Sequence, residues 1–452
     1  MIGMIKMDHE NLLVNYLDNI VASQKSGIPA GITSICSANK QVLTACMRFM
    51  MDLDIPLLIE STCNQVNQYG GYTNMRPKEF IAFTHQIAEQ LGFPIRRLII
   101  GGDHIGPNVW KKEPADMAIE KSRVLVRDYV LAGYQKFHID TSMGCADDPT
   151  GQPLEPEVIA ERTADLVEVA ESTFEGSNSG RNYLRYVIGT EVPPPGGIQG
   201  TEETFKPTIT INLQETINLT RTSFYLRGLH SAWERVIAVV VQPGVEFGDQ
   251  IIIDYNPEAS TDLVHFIENV KGMVYEVHST DYQTPIALRQ LVSDHFAILK
   301  VGPALTFAFR EAVYALAQIE KELYPIGSSQ SPSNIITIIE DVMRENPAFW
   351  RDHYLGNEAE VTFSLHYSFS DRVRYYWNFD GIYESFKRLI YNLDNKQIPL
   401  SLLSQYLPKQ FQRVRMGIIE NNPDSIIEDK IIEVLEGYHL ACRGDPVSLN
   451  HQ

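Results

Sequence analysis

Histidine and carboxylate side chains in this sequence stand where short apolar runs end. Asp103 and His104 follow one such run, Glu246 follows a second after a short turn, and His278 ends a third. A single histidine there is more often structural, but two of them with carboxylates on neighbouring runs favour a metal. A catalytic Zn²⁺ or similar divalent ion usually takes three imidazole or carboxylate ligands and leaves a position open for substrate. The sequence therefore predicts that His104, Glu246 and His278 bind a divalent metal ion, with Zn²⁺ as the preferred candidate.

Two carboxylates stand near this predicted metal. Asp103 directly precedes His104, so it could act as a general acid/base beside the ion, and its alternative role is to cap the helix that follows. Glu191 ends another apolar run and precedes the proline-rich stretch 192–197. We interpret that stretch as a wall of the pocket, with Glu191 either in the site or a structural hydrogen-bond acceptor.

Lys300 ends a buried apolar run and permits two chemistries. A desolvated lysine could form a Schiff base with a ketone, which is the metal-free route to aldol chemistry. The alternative is an ammonium group that binds an anionic oxygen of the substrate. We favour the second role because the predicted metal already supplies the electrophile.

Other polar residues at run ends are candidates for substrate binding. His138 and Asp140 alternate along one run and so share a face. We expect Asp140 at the rim of the site, with His138 orienting it, and we add Ser142 and Asp281 as substrate-binding residues on the same criterion.

The elements that must position these residues are eight short apolar runs, each followed by a stretch of helical period. The runs cover residues 31–36, 56–60, 97–101, 136–140, 186–191, 237–242, 273–278 and 296–300. Near-continuous apolar strands alternating with helices indicate parallel strands covered on both faces, and eight of them predict a (β/α)₈ TIM barrel, an α/β fold. Its active site would lie at the carboxyl ends of the strands. The alternative is an open, doubly wound sheet.

Two units are expected along the chain. Residues 1–325 would form the barrel with an N-terminal helix. A turn-rich stretch then leads into 326–452, which has helical period and many aromatic residues. We predict that this second unit is a helical extension packed on the barrel.

Composition excludes several classes of protein. The 452 residues carry 38 basic and 57 acidic side chains, a net charge of −19, which argues against nucleic-acid or anionic-membrane partners. No apolar stretch is long enough to span a bilayer, and five cysteines without a CxxC pair indicate reduced thiols, so we expect a cytoplasmic protein. Neither a P-loop nor a GxGxxG fingerprint is present, which counts against a P-loop kinase or an NAD enzyme.

Several long motifs closely resemble the GatZ/KbaZ family. They cover residues 59–73, 101–108, 142–148, 240–247 and 278–284, and the resemblance extends from about residue 26 to the C-terminus. Members of that family are called D-tagatose-1,6-bisphosphate aldolase subunits. Some are labelled tagatose 6-phosphate kinases, and some act as ketohexose-phosphate C4 epimerases.

The family in turn resembles the class II, metal-dependent fructose-bisphosphate aldolase barrel. That resemblance implies that Asp103 is the catalytic acid/base, that Glu191 is the glutamate after strand five, and that His104, Glu246 and His278 hold the metal. The sequence departs from the aldolase pattern in having Glu246 where a histidine is usual, and in lacking the Gly/Ser phosphate loop after strand seven.

The resemblance implies a role in tagatose/fructose sugar-phosphate metabolism. We expect C4 epimerisation of a ketohexose phosphate by retro-aldol and aldol chemistry, in a homo-oligomer. The alternative is a non-catalytic subunit that stabilises a separate class II tagatose-1,6-bisphosphate aldolase. Gln65 of the first motif is expected to contact substrate. Arg372, Arg374 and Lys409 are candidate phosphate anchors, with ion pairing as their alternative fate.

Overall fold

The computed structural model describes residues 9–149, 153–176, 184–189, 206–324 and 331–443. Ten strands lie in these ranges: β1 Ile32–Ile35, β2 Leu57–Thr62, β3 Leu98–Ile105, β4 Lys136–Ile139, β5 Arg185–Ile188, β6 Val236–Val240, β7 Glu246–Phe247, β8 Ile252–Ile253, β9 Val274–Val277 and β10 Phe296–Val301. All except β7 and β8 are parallel and close into a barrel in the order β1-β10-β9-β6-β5-β4-β3-β2.

The barrel confirms the predicted fold, and each of its strands overlaps one of the eight apolar runs. The open, doubly wound sheet is wrong for this chain because β1 pairs with both β2 and β10. The pair β7 and β8 forms a small antiparallel hairpin in the loop after β6, which the periodicity did not predict.

Sixteen α-helices are described. They are α1 His9–Lys25, α2 Lys40–Phe49, α3 Pro77–Leu91, α4 Ala115–Ala132, α5 Pro156–Gly176, α6 Thr210–Leu226, α7 His230–Trp233, α8 Thr261–Glu268, α9 Pro285–Ser293, α10 Pro303–Leu323, α11 Ile335–Glu345, α12 Glu358–Tyr367, α13 Asp380–Asp394, α14 Leu400–Tyr406, α15 Pro408–Arg415 and α16 Pro423–Cys442. None of these helices is long and apolar enough to cross a membrane.

The lower part of the barrel interior is apolar and is closed by α1. Leu17 and Ile20 of that helix join a buried cluster with Leu58, Val274 and Ile298 of the strands. Side chains alternate along a strand, so every second residue of a barrel strand faces the interior. This cluster therefore fills the amino-terminal end of the barrel.

The next interior layer is charged. Two residues beyond Leu58, Val274 and Ile298 stand Glu60, Glu276 and Lys300, and β4 adds Lys136 and His138. All five of these polar side chains are buried. The interior therefore changes from hydrocarbon to ionic groups towards the carboxyl ends of the strands.

The helices after α10 are packed on the barrel. The long helix α16 contacts α2, α9 and α10, and the segment between α12 and α13 reaches the carboxyl-terminal mouth. There the backbone N–H of Phe369 donates to the carbonyl of Asp249 at 2.9 Å, and the Tyr282 hydroxyl donates to the carbonyl of Phe369 at 2.6 Å. The boundary expected near residue 325 falls in residues 325–330, outside the described ranges.

Candidate active site

A cavity of about 620 Å³ opens at the carboxyl ends of the strands, where the sequence placed the site. Most of its lining comes from three regions. They are the strand ends (Thr62, Asp103, His104, His278, Ser279, Asp281, Lys300, Gly302), the loop after β2 (Asn64, Gln65, Asn67, Gly71, Tyr72) and the C-terminal extension (Phe349, His353, Arg372, Arg374, Tyr375).

Four buried side chains at the floor of the cavity form one group. Asp103, His104, His138 and His278 each offer a ligand atom, and these atoms lie within 4.8 Å of one another. The Nε2 of His104 is 3.1 Å from the Nδ1 of His278, and the Nδ1 of His138 is 2.8 Å from Oδ1 of Asp103. The set combines imidazole and carboxylate donors, which suits Zn²⁺ or a similar divalent ion.

The outer nitrogens of two of these rings face carboxylates. The Nδ1 of His104 lies 2.8 Å from Oδ2 of Asp140, and the Nε2 of His278 lies 3.4 Å from Oε1 of Glu276. Metal-binding histidines commonly engage a carboxylate through the nitrogen that does not face the metal. The nitrogens that face each other are therefore the ones presented to an ion, and the donor set fits it.

The backbone near these groups is specialised. His104 has φ 49° and Ser279 has φ 55°, left-handed conformations that cost free energy for residues other than glycine and cluster at functional sites. A Cβ on Gly106 would lie 1.8 Å from the carbonyl oxygen of Asp140. Glycine at 106 thus permits the close approach that brings Asp140 to His104.

The imidazoles differ in their affinity for protons. Burial lowers the pKa of His278 to about 3, so this ring is neutral at pH 7, the state that binds a metal. Burial would also lower the pKa of His104, but Asp103 and Asp140 raise it above its usual value.

Lys300 lies among three carboxylates. Its Nζ is 2.7 Å from Oε2 of Glu60, 2.9 Å from Oδ1 of Asp103 and 3.2 Å from Oε1 of Glu276. Burial would lower the pKa of Lys300, but Asp103 and the two glutamates hold it well above its usual value. The amine is therefore held protonated, which opposes the Schiff-base alternative and places an ammonium group beside Asp103.

Asp103 is consequently held as an anion. Burial would raise its pKa, but Lys300 and His104 hold it well below the usual value. The residue lies inside strand β3, and its carboxylate pairs with His138 and Lys300. These ion pairs hold the side chain inside the cavity, so it does not cap the next helix, which was its alternative role.

Glu246, the predicted third ligand, is not a member of the four-residue group. Its Oε1 accepts from the backbone N–H of Phe247 at 3.0 Å. Burial raises the pKa of Glu246 to about 7, although hydrogen bonds from Phe247 and Ser279 act to lower it. His138 occupies the group instead, although we expected it only to orient Asp140. Metal binding by Glu246 stays a prediction.

The other predicted site residues divide in two. Gln65, Asp281, Lys300 and Arg372 line the cavity. Asp140 and Ser142 do not: the Ser142 hydroxyl donates to Asp140 at 2.7 Å, and Asp140 in turn contacts His104. Both are placed to position His104.

Two further residues named from the sequence contribute nothing to the described cavity. Glu191 lies outside the described residues. Lys409 pairs with Glu433 at 3.4 Å, the ion-pair fate that was its alternative.

Sequence reasoning missed most of the extension's contribution. Tyr375, Phe349 and His353 line the cavity, and their one available signal was the dense aromatic and basic composition of residues 349–377. Composition indicates that such residues pack against something, but it does not show which part of the chain they contact. Their place in the cavity wall could therefore be found only from the fold.

Comparison with known proteins agrees with this architecture. Residues 17–443 match the model of a family described as D-tagatose-1,6-bisphosphate aldolase subunit GatZ/KbaZ-like. Two relatives named D-tagatose-1,6-bisphosphate aldolase subunit GatZ, from Salmonella dublin and Klebsiella pneumoniae subsp. pneumoniae, are each 47% identical over 95% of this chain and 100% of their own length. A crystal structure described as a probable tagatose 6 phosphate kinase from Sinorhizobium meliloti 1021 is 42% identical, with a TM-score of 0.83 over 91% of this chain and 100% of its own. This chain therefore belongs to the GatZ/KbaZ-like family.

Proposed function

We propose that the chain is a metal-dependent ketohexose-phosphate 4-epimerase that interconverts fructose 6-phosphate and tagatose 6-phosphate in the cytoplasm. The observation that carries the proposal is the buried, ionised Asp103 beside three imidazoles at the floor of the cavity. A carboxylate base next to a divalent-ion site is what reversible cleavage of a carbon–carbon bond beside a ketone requires.

Inversion at C4 restricts the chemistry. The C4 hydrogen is not on a carbon next to the C2 ketone, so enolisation cannot remove it. One remaining route is oxidation and reduction at C4, for which the sequence carries no dinucleotide motif. The other route is cleavage and re-formation of the C3–C4 bond, which needs no external oxidant or reductant.

In this scheme Asp103 moves the proton. It accepts the proton of the C4 hydroxyl while the electrons of the C3–C4 bond move to the C2 oxygen. This leaves a three-carbon enolate and an aldehyde that carries the phosphate. After the aldehyde turns over, C3 attacks its other face, and Asp103 returns the proton to the new C4 oxygen.

Other residues of the chain position and neutralise these groups. Lys300 neutralises Asp103 until substrate binds, and it can donate to a developing oxygen anion. His104 and His278, with Glu246 as the predicted further ligand and His138 as the geometric candidate, would hold the ion, most readily Zn²⁺. A bound divalent ion would polarise the C2 carbonyl. Gln65 and Asp281 line the cavity where sugar hydroxyls would lie, and Glu191 is retained as a second candidate base.

The test is direct. The purified protein, loaded with Zn²⁺, is incubated with fructose 6-phosphate, and tagatose 6-phosphate is sought by carbon NMR. We expect conversion by the wild-type protein and at least a 10²-fold lower rate for Asp103→Asn. No conversion by the wild-type protein would reject the proposal.

The names of the relatives favour a second candidate function. They are called subunits of an aldolase, so the chain could stabilise a separate class II tagatose-1,6-bisphosphate aldolase. Mixing the two chains should then raise the thermal stability and turnover of the aldolase, and Asp103→Asn should activate it as well as the wild type does. Size-exclusion chromatography of each chain alone and of the mixture would show whether this chain forms the homo-oligomer we expect.

A further inference from the structure

The mouth of the cavity carries two arginines that form no salt bridge with a described carboxylate, although Asp249 and Asp371 act on them at longer range. Arg372 is 4% exposed and lines the cavity together with Arg374. In the part of the chain that the structure describes, no carboxylate oxygen lies within 4.0 Å of either guanidinium. A buried cation without a partner is costly, which makes such a site a strong binder of an anion.

Buried arginines elsewhere are paired. Arg310 lies 3.0 Å from Oδ1 of Asp371, and Arg235 pairs with the carboxylate of Glu171. Asp371 is the acidic residue next to Arg372 in sequence, but it is turned towards Arg310 and accepts from the Thr306 hydroxyl at 2.5 Å. The carboxylate of Asp371 is therefore paired with Arg310 and forms no salt bridge with Arg372 or Arg374.

The donor geometry shows which groups are free to bind. The Nη1 of Arg372 donates to the carbonyl of Phe349 at 2.7 Å, which fixes the side chain, while its buried Nε has no hydrogen-bond partner among the described residues. Arg374 is fixed by the carbonyls of Ser370 and Asp371 and donates to the Tyr375 hydroxyl at 2.9 Å. Two immobilised guanidiniums, one with an unused buried donor, form a built site for a tetrahedral oxyanion.

The charge of the arginines acts on two neighbouring groups. Burial would raise the pKa of Tyr375, but Arg374 and Arg372 lower it below its usual value. Burial and then the charge of Arg372 lower the pKa of His353 to about 4. The shift of Tyr375 therefore comes from the two arginines, whereas that of His353 comes chiefly from burial, with Arg372 adding to it.

We propose that Arg372 and Arg374 of the C-terminal extension bind the phosphate of the C4–C6 fragment of the substrate and retain this fragment while it turns over. This inference extends the proposed epimerase function and depends on it for the identity of the substrate. In cleavage of a ketohexose 6-phosphate between C3 and C4, the phosphate stays on the aldehyde fragment. The fragment can present its other face by rotating about the bonds between C4 and phosphorus while its phosphate stays bound.

The consequence is a division of work between the two units. The barrel holds the C1–C4 region at Asp103 and the histidines, and the extension holds the phosphate across the same cavity. An enzyme with this anchor releases little triose phosphate and acts as an epimerase. Without the anchor, the same cleavage would release the fragment as an aldolase does.

The experiment measures phosphate binding first, without turnover. Inorganic phosphate is titrated into the metal-loaded full chain by calorimetry, for the wild type, Arg372→Gln, Arg374→Gln and the control Arg351→Gln, an exposed arginine of the same extension. We expect at least tenfold weaker binding in the two site variants and unchanged binding in the control. Unchanged binding in both site variants, or no saturable binding by the wild type, would overturn the proposal.

A further variant covers loss of folding. Arg372→Gln loses the contact with Phe349, so circular dichroism is recorded for each variant. Arg372→Lys keeps the charge but loses the planar fork, and should weaken phosphate binding by less than the glutamine variant. If Arg372→Lys folds and binds phosphate as the wild type does, while glutamine at 372 only unfolds the protein, Arg372 is structural and the proposal fails.

Turnover separates this inference from the proposed function. With fructose 6-phosphate, the two glutamine variants should release more glyceraldehyde 3-phosphate per epimer formed, detected with a coupled dehydrogenase. If phosphate binding depends on both arginines but the chain shows no turnover, the anion site stands and the epimerase proposal is rejected. Epimerisation with unchanged phosphate affinity in the variants would keep the epimerase and reject the site.

Discussion

His104 and His278 face each other across the floor of the cavity with Nε2 and Nδ1 3.1 Å apart. The other nitrogen of each ring lies near a carboxylate: Nδ1 of His104 is 2.8 Å from Asp140, and Nε2 of His278 is 3.4 Å from Glu276. His104, whose pKa is raised, can donate its Nε2–H to Nδ1 of His278. A divalent ion at this position would replace that proton and take one lone pair from each ring, so the pair is a candidate for two ligands of one ion.

This relationship predicts how metal content responds to substitution. His278→Ala removes a ligand and should lose nearly all bound Zn²⁺, while Asp140→Asn removes only the orienting carboxylate and should weaken Zn²⁺ binding about 10- to 100-fold. The control is His265→Ala, an exposed histidine of α8. Metal analysis and competition with a chelator measure both. Equal metal content in His278→Ala and the control would remove His278 from the site.

A second prediction concerns the role of Asp103. Asp103→Asn keeps the shape of the side chain and leaves Lys300 paired with Glu60 and Glu276, so the variant should fold. Sugar-phosphate affinity should change little, whereas turnover should fall by at least about 10²-fold. Wild-type protein should also yield traces of triose in the presence of an aldehyde trap, and the variant should not. Unchanged turnover would mean that Asp103 does not move the proton.

The barrel could be predicted from the sequence because its strands are short, apolar and regularly spaced. The rule that a barrel's active site lies at the carboxyl ends of its strands then grouped Asp103, His104, His278 and Lys300, and these four residues line one cavity. This succeeded because the carboxyl ends of parallel barrel strands meet at one rim whatever the details of side-chain packing.

The rest depended on contacts between distant segments. The pairing of β3 with β4 brings His138 to Asp103 rather than to Asp140. The register in which two neighbouring strands pair cannot be predicted from one sequence alone. Glu246 follows β6, as the resemblance required, but it begins the β7–β8 hairpin, and the hydrogen bond from Phe247 fixes one of its oxygens. Arg372 and Arg374 come from a segment more than 60 residues beyond β10, and the periodicity of the sequence does not show where that segment packs.

A third prediction tests the ionic layer around Lys300. Lys300→Met leaves Glu60 and Glu276 paired with Lys136, and leaves Asp103 with His138. Removing one partner from a buried charge network costs about 3–5 kcal/mol, and the free energy of unfolding in urea should fall by that amount. Lys40→Met, at an exposed position that begins α2, is the control.

Borohydride should trap no substrate adduct on the wild-type protein, and an adduct on Lys300 would restore the Schiff-base route.

The last prediction uses the pH dependence of stability at Asp281. This buried carboxylate accepts from the backbone N–H groups of Gly302 at 3.0 Å and Ala304 at 2.8 Å. Burial raises its pKa from 3.8 to about 6 despite these hydrogen bonds. Between these two values the folded chain binds more protons than the unfolded chain, so the contribution of Asp281 to stability is present below pH 4 and is lost as the pH rises through 6.

Asp281→Asn cannot titrate and should not show this loss. The free energy of unfolding of the wild type minus that of the variant should therefore fall by roughly 3 kcal/mol between pH 4 and pH 7, since one unit of pKa shift corresponds to about 1.4 kcal/mol. Urea unfolding at both pH values measures the difference, and Asp262→Asn, at an exposed position of α8, is the matched control. A difference that rises with pH would show that the two backbone N–H groups outweigh burial, and that Asp281 enters the cavity as a stabilised anion.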